Sequence, residues 1–224
     1  MKIVSWNCCE KFREKYQFIL KQEADIYVIQ ECENPAEYGD EKYKDLFKNG
    51  FWTGGIKYKG VGIFSLNPDI KLERLDWPGQ DKQFFIPVKV NDELNVVAVW
   101  SCKPYCEMFF DYFQDVQNYL DSKVLMIGDF NSNLVLDEHH SSKKSWGTCV
   151  ELLNEKGLVD VYNDVTGEKE GKEKKPTFFL TRHLDKPFHF DRCVAAKGKV
   201  KKFDILTNYQ WLSRSDHLPI IVEL

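Results

Sequence analysis

No stretch of the chain approaches the roughly 18 consecutive apolar residues that a membrane span requires. A single lysine precedes a short apolar stretch in the N-terminal MKIVSWNCC, too little for a secretory signal. A basic surplus is also missing: 31 Lys and Arg stand against 35 Asp and Glu, a formal charge of −4. Proteins that hold nucleic acid by blanket electrostatics are normally basic. Any phosphate-bearing partner would therefore have to be met at a local site, with a cation supplying positive charge. Nor is there a disulfide framework. Seven cysteines (Cys8, Cys9, Cys32, Cys102, Cys106, Cys149, Cys193) are an odd, sparse set, which points to a reducing cytoplasm. Neither Cys102 with Cys106 nor Cys8 with Cys9 shows paired C-x₂-C spacing, and no H-x₃₋₅-H follows them. The thiols are read as small buried hydrophobes.

What is present is a chain of 224 residues, 43% hydrophobic, with no repeat, linker or composition break. That suits one α/β domain over 1–224. Nine segments read as strands, several of them near-continuous Val- and Ile-rich runs as expected for burial on both faces: KIVSW, DIYVIQE, GVGIFS, FFIPVKV, LNVVAVWS, KVLMIGD, TFFLTR, FHFDRCVA and LPIIVEL. Helical stripes lie between them. Phe12, Tyr16 and Ile19 share one face, as do Phe109, Phe113, Val116 and Leu120. A third helix is expected from about Trp146 to Lys156, with Gly157 as its C-cap. DVTGEKEGKEKKP reads as a solvated charge run and AAKGKVKK as an exposed basic hairpin.

Polar residues gather where strands end. KIVSWN ends in Asn7, DIYVIQE in Glu31, and VLMIGDFN in Asp129 and Asn131. HFD sets Asp191 within an apolar strand, and SDH sets Asp216 and His217 before the last one. Gly, Asp and Asn in GDFN are also ordinary turn formers. In α/β folds, however, functional groups collect at strand–loop junctions along one sheet edge, and five segments supply them here. Strand alternation puts His189, Asp191 and Cys193 on one side and Phe188, Phe190 and Arg192 on the other. An unpaired carboxylate at Asp191 would be costly to bury, so a histidine partner is expected, with His217 the candidate. His189 is read as structural.

WN at 6–7, QE at 30–31, GDFN at 128–131, FD at 190–191 and SDH at 215–217 together resemble the endonuclease/exonuclease/phosphatase superfamily, in its compact bacterial-type form. The resemblance implies a DNase I-like four-layer α/β sandwich, two mainly antiparallel sheets face to face with helices outside. It also implies phosphoester cleavage dependent on Mg²⁺ or Mn²⁺. Glu31 would hold the metal, with Asn7 and Asp216 beside it, because hard cations take oxygen ligands. Asp129 would take a proton from the attacking water, and Asn131 would bond the scissile phosphate. His217, braced by Asp191, would meet a non-bridging oxygen.

The match is incomplete. Many nucleases of the family carry His or Tyr after the strand corresponding to NVVAVWS, where this chain has WSCKPYCEM. Lys103 or Tyr105 is the candidate replacement. FDR at 190–192 is similar to the tyrosyl-DNA phosphodiesterases, where Arg meets phosphate, making Arg192 a further candidate. The leading expectation is a cytoplasmic nuclease on DNA with no obligate protein partner. The alternatives are a phosphatase or phosphodiesterase for a small phosphorylated molecule or phosphotyrosyl adduct, and an inactive fold used for binding.

Overall fold

The computed structural model describes residues 1–79 and 81–224. Two six-stranded mixed sheets dominate it. The first runs in the order β13 (Lys202–Ile205), β14 (Ile220–Glu223), β1 (Lys2–Asn7), β2 (Ile26–Cys32), β4 (Lys59–Phe64), β3 (Gly50–Ile56). The second runs β5 (Leu72–Arg74), β6 (Phe85–Val90), β7 (Leu94–Trp100), β8 (Val124–Asp129), β12 (Asp191–Ala196), β9 (Leu158–Asp160). A two-stranded ribbon pairs β10 (Phe178–Phe179) with β11 (Pro187–Phe188).

Pairing is antiparallel except for one parallel pair per sheet, β1 with β2 and β7 with β8. A helix makes each crossover, as parallel neighbours require. α1 (Phe12–Leu20) joins β1 to β2 and α3 (Cys106–Val116) joins β7 to β8; α2 (Glu41–Leu46), α4 (Trp146–Glu155) and α5 (Val161–Thr166) are the other α-helices among the described residues. The inner faces of both sheets share one core, in which Ile3, Val28 and Ile220 meet Ile86, Ala98 and Ile127. α3 and α4 cover the second sheet through Phe109, Phe113 and Trp146, while α1 and α2 cover the first through Phe12, Ile19 and Tyr43. The result is the four-layer sandwich. The parallel pairs end on the same edge, and there the polar residues collect.

Several segments differ from the sequence expectation. TFFLTR is strand only over Phe178–Phe179, because Thr181 (φ 53°) turns the chain. FHFDRCVA divides between β11 and β12. AAKGKVKK is not a hairpin: it turns at Gly198 (φ 72°) and carries the chain from β12 in one sheet to β13 in the other. DVTGEKEGKEKKP is only partly solvated. Its first residues finish α5, closed by Gly167 (φ 72°), and Glu170 and Glu173 fold inward to a buried arginine.

Candidate active site

The centre is built from both sheets. Gly128 makes their approach possible: a Cβ there would lie 1.9 Å from the Val99 carbonyl oxygen and 2.9 Å from the Gln30 side chain. Only glycine fits, and Asp129 is thereby delivered fully buried at the end of β8. Asp191 begins β12 directly opposite it in register. From the other sheet, Asn7 ends β1. Glu31 sits at a bulge in β2 with φ 59°. Ile29 and Cys32 both pack on the outer layer, so Glu31 is the extra residue, re-aimed to the sheet edge.

Hydrogen bonds lock these groups together. The Asn7 amide donates to Glu31 Oε1 (3.3 Å) and to Asp129 Oδ2 (2.9 Å), linking the two sheets. Asn131 donates its backbone N–H to Asp129 Oδ1 (2.9 Å) and its side-chain amide to Oδ2 (2.9 Å). Asn131 has φ 48°, a left-handed conformation that asparagine tolerates. It thus makes the turn and serves the centre at once. His217 Nδ1 lies 2.8 Å from Asp191 Oδ2, and its Nε2 lies 3.9 Å from Asp129 Oδ2.

Two hydroxyls position this pair, and neither stood out in the sequence. Ser215 Oγ donates to the Asn7 carbonyl (2.6 Å) and accepts the His217 N–H (3.0 Å). Thr177 Oγ1 accepts the N–H groups of Phe190 and Asp191 (3.0 and 2.9 Å). For Ser215 a local signal existed, since a serine two residues before His217 can accept its backbone N–H. Thr177 gave no signal, because its partners lie 13 and 14 residues away.

Burial pushes the Asp129 carboxyl up to about 7; His217 works against that shift, while Asp191 adds to it. For His217, burial acts to lower the pKa, but Asp191 and Asp129 outweigh it and raise it to about 10. Near neutral pH the centre thus holds an imidazolium beside a carboxyl poised between its two forms.

The outer candidates fare differently. Asp216 flanks the pair, and its charge acts on Cys9 and His217. Tyr105 lines a cavity of about 400 Å³ with Asn131, His140, Phe178, Phe188 and Phe190. Lys103 is exposed on the loop after β7. Arg192 does not reach the site. It is fully buried on the opposite strand face, over the Trp146 ring (4.9 Å), and bound to Asp160 (2.6 Å), Glu170 (2.8 Å) and Glu173 (3.7 Å). His189 is likewise buried, with Nδ1 2.8 Å from the Lys175 carbonyl.

The cavity wall is aromatic. Phe190 stacks on Phe178 (5.1 Å, 20°) and on Phe188 (5.2 Å, 18°), and Phe178 touches the His217 ring (4.5 Å).

The donor set fits a hard cation. Asn7 bridges carboxylate oxygens of Glu31 and Asp129. Glu31 Oε2 already draws a positive group, the Lys59 ammonium at 2.9 Å. Asp191 Oδ1, though buried, has no hydrogen-bond partner among the described residues. Oxygen ligands of this kind suit a hard divalent cation better than a softer ion.

No family model matches the chain. Solved structures do. The 3′ phosphatase NExo from Neisseria, bound to product DNA hairpin, aligns over 100% of this chain and 99% of its own at 20% identity and TM-score 0.74. An AP endonuclease from Archaeoglobus fulgidus aligns over 100% and 99% at 18% identity and TM-score 0.76. A humanized TDP2 from D. rerio aligns over 99% and 97% at 14% identity and TM-score 0.58. The chain has the DNase I-like fold of these proteins. Within that DNase I-like fold the cluster just described sits at the joint edge of both sheets. No helix among the described residues is long and apolar enough to cross a membrane.

Proposed function

We propose that this chain is a divalent-metal-dependent phosphoesterase that hydrolyses DNA phosphodiester bonds. The observation that carries the reading is Asp129, buried and fixed by two asparagine amides, with a histidine on one side and a second carboxylate behind it. A turn needs Asp and Asn only for their backbones. Here both side chains converge on one point, as phosphoryl transfer demands.

Asp129 accepts the proton of the attacking water; its raised pKa brings it close to the operating pH of a general base. Asn7 and Asn131 hold its oxygens in place, and Asn131 also meets the phosphate. His217, kept protonated by Asp191, stabilises the charge that grows on a non-bridging oxygen. Mg²⁺ or Mn²⁺ would be held by Glu31, with Asn7 and Asp216 beside it. When bound it supplies Lewis-acid polarisation of the phosphate and leaving oxygen.

DNA as the substrate class rests on two supports. Proteins of the same fold are a 3′ phosphatase bound to product DNA hairpin and an AP endonuclease. The aromatic cavity beside Asn131 offers stacking to a nucleotide, which compensates for a chain without basic surplus. The test is hydrolysis with Mg²⁺ and with EDTA on plasmid, single-stranded DNA, abasic duplex and a panel of phosphate monoesters. Cleavage of a DNA substrate that EDTA stops is expected. Turnover of monoesters alone would shift the assignment to a small-molecule phosphatase, and no turnover at all would leave a binding fold.

A further inference from the structure

A second cluster, of softer character, lies beyond the centre. Cys106 and Glu107 open α3, and His140 follows the short helical turn Leu134–His139. One donor atom from each of the three lies within 4.8 Å of the others. Glu107 Oε2 is the hub: the Cys106 thiol donates to it at 3.4 Å, and His140 Nδ1 lies 2.9 Å from it. Cys106 is buried, and Glu107 and His140 are largely covered, with side chains 19% and 12% exposed.

We propose that Cys106, Glu107 and His140 form a zinc site, with water as the fourth ligand. The donor set is the first reason. Sulfur, imidazole nitrogen and carboxylate oxygen suit borderline-soft Zn²⁺ and not Mg²⁺, so this cluster and the oxygen-rich centre around Glu31 draw different ions. Spacing is the second. Zinc bonds of about 2.0–2.3 Å place tetrahedral ligands roughly 3.3–3.8 Å apart, within the range these donors already span. Charge is the third, since a thiolate and a carboxylate neutralise the dication and leave a neutral complex in a covered position. On binding, the Cys106 sulfur gives up its proton to solvent and Nδ1 of His140 presents a lone pair, its proton sitting on Nε2. No oxidation is involved.

The competing arrangement is a closed thiol–carboxylate–imidazole network without metal. Burial pushes the Cys106 thiol up to about 12, so in that network it stays protonated. The site would also explain how the chain beyond Asn131 is fastened. His140 and Asn131 line the same cavity, and zinc would tie that wall to the start of α3. The proposal does not depend on the hydrolytic reading.

The full-length protein, purified from zinc-supplemented cells and dialysed without chelator, should contain one zinc per chain. Stripped protein reloaded with Co²⁺ should show a thiolate-to-metal charge-transfer band in the near ultraviolet. Cys106→Ser and His140→Ala should lose both, with circular dichroism confirming the fold, and added Zn²⁺ should raise Tm of the wild type only. Zinc-free wild-type protein with no cobalt–thiolate band would overturn the site, whether or not the variants fold. So would zinc retained in both variants.

Discussion

One imidazole joins two carboxylates that face each other across a strand pair. His217 Nδ1 lies 2.8 Å from Asp191 Oδ2, and the other ring nitrogen lies 3.9 Å from Asp129 Oδ2. Asp191 and Asp129 are register partners on β12 and β8. The backbone of His217 is tied separately, its N–H to Ser215 and its carbonyl to Trp6 Nε1 (3.2 Å). The ring therefore has one orientation, set by Asp191 and aimed at Asp129.

Asp191 and His217 should behave as a unit. His217→Ala should reduce kcat about 10²–10³-fold, the usual loss for one donor to a developing charge. Asp191→Asn should remove most of the same contribution, and the double variant should be little worse than the worse single one. Full additivity in the double-mutant cycle would show two independent roles. The same pair sets the pH response. The pKa of His217 is raised to about 10 from 6.5, so its contribution to stability is complete below 6.5 and is lost as pH rises through about 10. NMR titration of Asp191→Asn should show the His217 midpoint moved to lower pH.

Asp129→Asn should lower kcat about 10²–10⁴-fold with little change in KM, as for a group acting on the water in the transition state. Asparagine preserves the shape and still accepts from Asn7 through its carbonyl oxygen. A rise in KM at constant kcat would make Asp129 a binding residue.

The sequence made much of this centre legible because its residues stand at strand ends. Asn7, Asp129, Asp191 and His217 follow, interrupt or directly precede apolar runs, and length plus Val- and Ile-rich composition marked those runs as strands. Glu31 was harder, since its direction depends on a bulge that periodicity does not encode. Arg192 was misplaced for a related reason. Alternation correctly set it opposite Asp191, but its carboxylate partners come from a segment that looked solvated. Glu170 and Glu173 appear as surface charge until α5 ends at Gly167 and turns them inward. The Cys106–Glu107–His140 cluster was out of reach of any spacing rule, because the fold brings together residues more than 30 apart in the chain.

Glu31→Gln should weaken metal binding and rate together, while leaving the fold intact. Gln keeps the size and can accept from Asn7, yet loses the charge a dication requires. Mn²⁺ titration followed by electron paramagnetic resonance would read the affinity directly, apart from turnover. Unchanged affinity would remove Glu31 from the metal site, and hydrolysis undiminished by EDTA would remove the metal from the reaction.

Around Arg192, three carboxylates share one guanidinium, so the buried group carries excess negative charge. Burial pushes Glu170 up to about 7, and Asp160 and Glu173 add to the shift despite the attraction of Arg192 at 2.8 Å. An acid whose folded pKa is raised costs the folded state stability as pH climbs from its unfolded value near 4.5 to about 7. Gln at this position mimics the protonated acid and its carbonyl oxygen can still accept from Trp146 Nε1, which donates to Glu170 at 2.7 Å. Glu170→Gln should therefore match the wild type in urea unfolding at pH 4 and exceed it at pH 8. The gain should develop between those two pKa values. A variant less stable at pH 8 than at pH 4, relative to wild type, would mean that the Arg192 ion pair outweighs the burial of the charge, and that Glu170 is ionised at little cost.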